Sequence, residues 1–141
     1  MRLSAFLLVA AALLTGGCKD VPTAPGLPLQ FTMSPPPEGI VPAPAITASG
    51  DVVTAEALLG VSGCDDYYAS AAMVRGAMVI SFTGRTTDRR CLAFSSPALF
   101  RAVVSEAPPG AYDVIVRERK VDRDGRESWS REIARSQVVL P

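Results

Sequence analysis

From Ile46 onward, short apolar runs alternate with turn residues at intervals of roughly 8 to 12 positions, the pattern of a β-sandwich or barrel. VVTAEALLGVS (52–62) follows Ser49-Gly50-Asp51 and predicts a strand, although Ala55 to Leu59 is rich in helix formers. YYASAAMVR (67–75) and AMVISFTG (77–84) flank Gly76 and read as a hairpin around Arg75-Gly76. CLAF (91–94) predicts a short strand. Residues 96–107 admit two readings. Ser96-Pro97 suits a helix cap and first turn, with Leu99, Phe100, Val103, Val104 and Ala107 along one face, and the same residues suit a strand. AYDVIVRERKV (111–121) alternates, with Tyr112, Val114 and Val116 on one face. Asp124-Gly125 fits a two-residue hairpin turn. The returning strand, 126–140, requires a bulge, because Trp129 and Ile133 share a parity that Val138 does not.

The N-terminal pattern is different. Arg2 precedes LSAFLLVAAALL (3–14), an apolar stretch too short to span a bilayer and suited to the hydrophobic region of an export signal. Thr15, Gly16 and Gly17 are small, and Cys18 follows. These residues resemble a bacterial lipoprotein signal, with Leu14 one place early and Thr15 where that signal carries leucine. The resemblance implies cleavage before Cys18 and lipid on its thiol and new amine. Each buried methylene contributes about 0.8 kcal/mol, so two or three acyl chains give durable anchoring. The implied location is the bacterial cell envelope, facing away from the cytoplasm, with inner and outer membrane both open.

Eight of the twelve prolines lie between Lys19 and Ala45. Proline fixes φ and lacks the backbone donor, so this segment is expected to favour polyproline II and to exclude helix or central strand. The expected organisation is a signal peptide over 1–17, a Pro-rich tether over 18–45 and a β domain over 46–141.

Formal net charge is +0, with 14 basic and 14 acidic residues. That balance gives no electrostatic reason to expect nucleic acid as a partner. The chain has no histidine, which removes the commonest general base and most zinc sites. No cofactor and no metal is expected. With Cys18 assigned to lipid, Cys64 and Cys91 remain, and an even pair in a small exported domain points to a disulfide.

SGCDDYYASAAMVRGAMVISFTG, RRCLAF and ALFRAVVSEAPPGAYDVIV together resemble a group of exported bacterial immunoglobulin-like β-sandwich domains. The shared features are Gly63-Cys64, Cys91 and Pro108-Pro109-Gly110-Ala111-Tyr112. The resemblance implies an all-β, small immunoglobulin-like sandwich, a bridge from Cys64 to Cys91, and a tyrosine corner at Tyr112. It implies no catalytic residue and no ligand.

Candidate sites are few. Asp65-Asp66 and the Asp122-x-Asp124-Gly125 run offer carboxylates, but the remaining calcium ligands are missing. Both read as polar turns. The charges of the last hairpin interleave in sign, as expected for cross-strand pairing. Lys120, the only lysine of the domain, is expected in solvent because of its RERK setting. Tyr67 and Tyr68 place one ring on each face of their strand, and with Trp129 they are the candidate contact residues. The expected function is non-enzymatic. A lipid-anchored domain would bind or scaffold an envelope protein or glycan, and is held to the membrane through lipid on Cys18. The alternative is a protease-inhibitor or chaperone-like accessory lipoprotein using Thr83 to Arg90 (TGRTTDRR) as an extended loop.

Overall fold

The computed structural model describes residues 26–87, 90–91 and 95–141. The signal segment, Cys18 and most of the strand expected at 91–94 lie outside the described residues. The described residues form eight strands: β1 (Leu29–Ser34), β2 (Ala45–Ser49), β3 (Val52–Ser62), β4 (Asp65–Val74), β5 (Ala77–Thr86), β6 (Ser95–Val104), β7 (Gly110–Val121) and β8 (Glu127–Leu140). They form two four-stranded sheets, ordered β1-β6-β3-β2 and β4-β5-β7-β8. The chain is a small all-β sandwich, as its alternation predicts.

The inner faces explain the packing. The first sheet contributes Val53, Ala55, Ala57 and Leu59 from β3, and Ala98, Phe100, Ala102 and Val104 from β6. The second contributes Met78, Ile80 and Phe82 from β5 and Tyr112, Val114 and Val116 from β7. Small alanines on the first sheet and large side chains on the second together make up the inter-sheet layer. Phe100 is the hub of an aromatic cluster, with ring centroids 5.6 Å from Phe31, 5.5 Å from Phe82 and 5.4 Å from Tyr67. These edge-on contacts are the geometry that ring quadrupoles favour.

Phe31 belongs to β1, so the expected boundary at 45/46 is corrected. Leu29–Ser34 is a window without proline between Pro28 and Pro35. It pairs antiparallel with β6 and takes the edge position, where neighbouring prolines are tolerated. The sandwich therefore includes residues as early as Leu27, whose amide donates to the carbonyl of Ala71 at 2.8 Å. The two readings open for residues 96–107 resolve to strand as far as Val104. Pairing of β6 with both β1 and β3 outweighs the helical spacing.

The β4–β5 hairpin turns on Arg75 and Gly76, with φ of 50° and 80°. Two consecutive positive φ values are the signature of a type I′ turn. The last hairpin differs from expectation by one residue. Gly125, at φ 80°, closes a three-residue loop in which the Gly125 amide donates to Asp122 O and the Asp122 amide to Arg126 O. The bulge in β8 is present: Val116 pairs Ala134 while Arg117 pairs Glu132, which leaves Ile133 as the extra residue.

Two features bear on the immunoglobulin-like likeness. The Tyr112 hydroxyl donates to Pro108 O at 2.8 Å, a tyrosine corner. In addition, β5 and β7 pair in parallel, because β6 crosses to the other sheet between them. The antiparallel sheets of the constant-type immunoglobulin arrangement contain no such pair. Cys64 and Cys91 are joined by a disulfide, with Cα atoms 5.4 Å apart.

Candidate functional site

The register divides the molecule into two ends. One end carries the 74–77 turn, Gly50-Asp51, residues 105–110 and Leu140. The other carries residues 35–44, the Ser62–Asp65 turn, the Cys64–Cys91 disulfide and the 122–126 tip. At this second end the two sheets part to leave a cavity of about 120 Å³.

Strand parity builds its lining. Along β4 the inward positions place Asp65 and Tyr67 at the mouth. Along β7 the face bearing Tyr112, Val114 and Val116 continues to Glu118 and Lys120. The β8 bulge then sets Trp129 opposite Lys120 and Arg131 opposite Glu118. Phe82, Phe100 and the Tyr67 ring form the aromatic part of the wall. The Tyr67 ring lies over Gly84, its register partner. A Cβ there would meet the ring at 2.9 Å, so the position requires glycine.

Polar groups at the mouth satisfy one another. The Tyr67 hydroxyl accepts from the Ser62 amide at 2.6 Å and donates to Asp65 Oδ2 at 3.2 Å. Asp65, whose side chain is 5% exposed, also pairs with the Lys120 ammonium. Arg131 Nε donates to Glu118 Oε2 at 2.6 Å, and Arg119 Nε to Glu127 Oε2 at 2.8 Å. Burial raises the Tyr67 phenol above its ordinary value; the Ser62 amide opposes that shift and Asp65 adds to it. Hydrogen bonds from Arg119 and Ser130 hold the Glu127 carboxyl below its ordinary value.

Lys120 is thus corrected. It turns toward Asp65 at the cavity mouth rather than standing free in solvent, and β7 parity was the signal for this. Its ammonium is engaged by a carboxylate rather than offered to a serine hydroxyl, an arrangement unlike an activated nucleophile. The Tyr67 ring packs on Phe100 and lines the cavity. Tyr68 points outward and is 43% exposed, away from the cavity. Trp129 lines the cavity and remains 45% exposed. Asp65, Glu118 and Lys120 were not among the expected contact residues.

The extended loop expected at Thr83 to Arg90 is corrected as well. Thr83–Thr86 belongs to central strand β5, with Thr83 fully buried. Thr87 is pinned through its amide and hydroxyl to Cys64 O, and Cys91 is bonded to Cys64. A wider, shallower hollow lies among Asp66, Arg85, Thr86, Thr87 and Arg123. Its arginines are spent on backbone carbonyls: Arg85 on Arg123 O and Arg123 on Thr87 O. Among the described residues no group of three or more side chains could hold a metal ion, and no helix is long and apolar enough to cross a membrane.

No family description, curated protein or solved structure matches the chain.

Proposed function

We propose that this chain is a lipid-anchored, non-enzymatic binding module of the bacterial cell envelope, tethered through Cys18, with its binding face at the cavity end. One observation carries the reading: a small, aromatic-walled cavity with a half-exposed indole at its rim and its charges already paired. A site whose carboxylates, Asp65 and Glu118, are matched by Lys120 and Arg131 offers no net charge to a ligand. Neutral, apolar groups gain most from such a site, because they need no desolvation of charge. About 120 Å³ accommodates one side chain rather than a cofactor-sized molecule. The ligand is therefore a neutral apolar or aromatic side chain presented by a partner in the envelope.

Trp129 is the only tryptophan, so its emission reports on this site alone. Titration with N-acetyl-phenylalaninamide is expected to shift that emission to shorter wavelength and to saturate. Emission unchanged to millimolar concentrations, in a protein that remains folded, refutes the cavity as the binding face.

A further inference from the structure

We infer that the partner presents its apolar side chain on an extended strand, and that this strand adds to the free edge of β3 beside the cavity. The inference rests on the cavity reading above and specifies how the side chain is delivered.

Strand lengths leave this edge open. β2 holds the edge of its sheet only from Ala45 to Ser49, opposite Val52 to Glu56. β3 continues to Ser62, and from Ala57 onward it has β6 on one side and no strand on the other. Ser49 and Val52 flank the two-residue turn Gly50-Asp51, so they exchange backbone hydrogen bonds. Every second residue of β3 from Val52 therefore turns its amide and carbonyl toward the β2 side. Beyond Glu56 these residues are Leu58, Gly60 and Ser62. The Ser62 amide is taken by the Tyr67 hydroxyl. Leu58 and Gly60 make no backbone hydrogen bond on this side among the described residues, and residues 35–44 supply none. A short row of unpaired donors and acceptors is a template for one more strand.

The same gap uncovers the cavity. β2 lies against β8. From Ala134 onward the inner-face residues of β8 are half-buried or buried, whereas Glu127 to Glu132 is exposed throughout. Trp129 stands opposite Lys120 and lines the cavity, yet no strand of the first sheet covers it. A strand continuing the line of β2 runs between the β3 edge and the indole. Residues paired across a sheet point to the same face, so the one opposite Leu59 shares its inward direction and enters the cavity. Its two neighbours bond Leu58 and Gly60. Asp65, Glu118 and Glu127 are already matched by Lys120, Arg131 and Arg119, so the slot favours a neutral strand over a charged one. The occupant is a neutral extended segment of a partner protein with an apolar residue at its centre.

The test uses the full chain, isotope-labelled, in phosphatidylcholine nanodiscs, with acetyl-Thr-Thr-Phe-Thr-Thr-amide as the probe. Trp129 emission is expected to report binding about tenfold tighter than that of N-acetyl-phenylalaninamide, because strand hydrogen bonds add to burial of the ring. Methylating the backbone nitrogens of the two residues that flank the phenylalanine is expected to remove that gain. Amide exchange is the second readout. The Leu58 and Gly60 amides are expected to exchange fast in the free protein and to be protected by the peptide, whereas Leu59, paired with β6, is protected throughout. Equal affinity for peptide and amide, with Leu58 and Gly60 still exchanging, overturns strand addition and leaves the cavity reading standing. Failure of both probes to bind defeats the cavity reading, and this inference with it. Protection of Leu58 and Gly60 before peptide is added shows an edge already taken, by residues 41–43 or by a second copy, and also overturns the inference. No substitution is needed, so each outcome is read on the native fold.

Discussion

The carboxylate of Asp65 holds the ammonium of Lys120, fifty-five positions later in the chain, and receives the Tyr67 hydroxyl as well. Removing the lysine would leave a carboxylate that is 5% exposed without its charge partner. Lys120→Ala is expected to cost about 2 kcal/mol, because Lys120 itself is partly in water. Asp65→Asn combined with Lys120→Ala is expected to cost less than the two single changes together. A double-mutant cycle from urea denaturation checks this; simple additivity would show that the pair contributes nothing.

Thr83 lies on the outward side of central strand β5, fully buried, and its Oγ1 has no hydrogen-bond partner among the described residues. Valine has the same shape without the hydroxyl. Thr83→Val is expected to leave stability unchanged or raise it by about 1 kcal/mol. Thermal unfolding of the variant measures it, and a clear loss of stability would point to an unseen partner for the hydroxyl.

Arg75 occupies the left-handed region at φ 50°, where branched geometry at Cβ is costly and asparagine is tolerated. The type I′ turn it forms with Gly76 prefers Asn-Gly. Arg75→Asn is expected to stabilise the domain by about 0.5 kcal/mol, read as a higher urea midpoint at unchanged slope.

Burial raises the phenols of both Tyr67 and Tyr112 above the ordinary tyrosine value. In the unfolded chain they ionise near pH 10. Between that value and the folded one, the folded state binds more protons, so stability falls as pH rises. Their contribution is complete below about pH 10 and is lost above it. Stability measured from pH 8 to 11 is expected to decline at the alkaline end, and less steeply in Tyr67→Phe. An identical decline in that variant would remove Tyr67 from the account.

Much of this fold was readable from alternation alone. Strands β3, β4, β5 and β7 fall where period-two patterning and turn residues put them. The bulge in β8 followed from parity, the cysteine bridge from the even cysteine pair as well as the resemblance, and the tyrosine corner from the resemblance. Two strands were obscured for different physical reasons. In β1 the prolines on either side dominate the local signal, while the pairing that orders Phe31 comes from β6, some seventy residues away in sequence. In β6, Leu99 and Val103 on the outer face are half-buried, so the alternation is blunted and helical spacing competes.

The cavity was only partly legible. Trp129 stood out as the single tryptophan, but Lys120 and Glu118 looked like members of a solvated charge run. Their parity with Val116 placed them on the inner face, and that signal was outweighed by composition. The meeting of β4, β7 and β8 at one end depends on the parallel β5–β7 pair and the bulge, which no local pattern specifies.

The most direct test of the account is intact-mass and peptide analysis of the mature protein extracted from membranes of a bacterial host. The expected result is a chain whose first residue is Cys18, carrying a diacylglyceryl group on the thiol and an acyl group on the amine, with Cys64 bridged to Cys91. A mature protein with a bare Cys18 thiol, recovered without detergent, would contradict it.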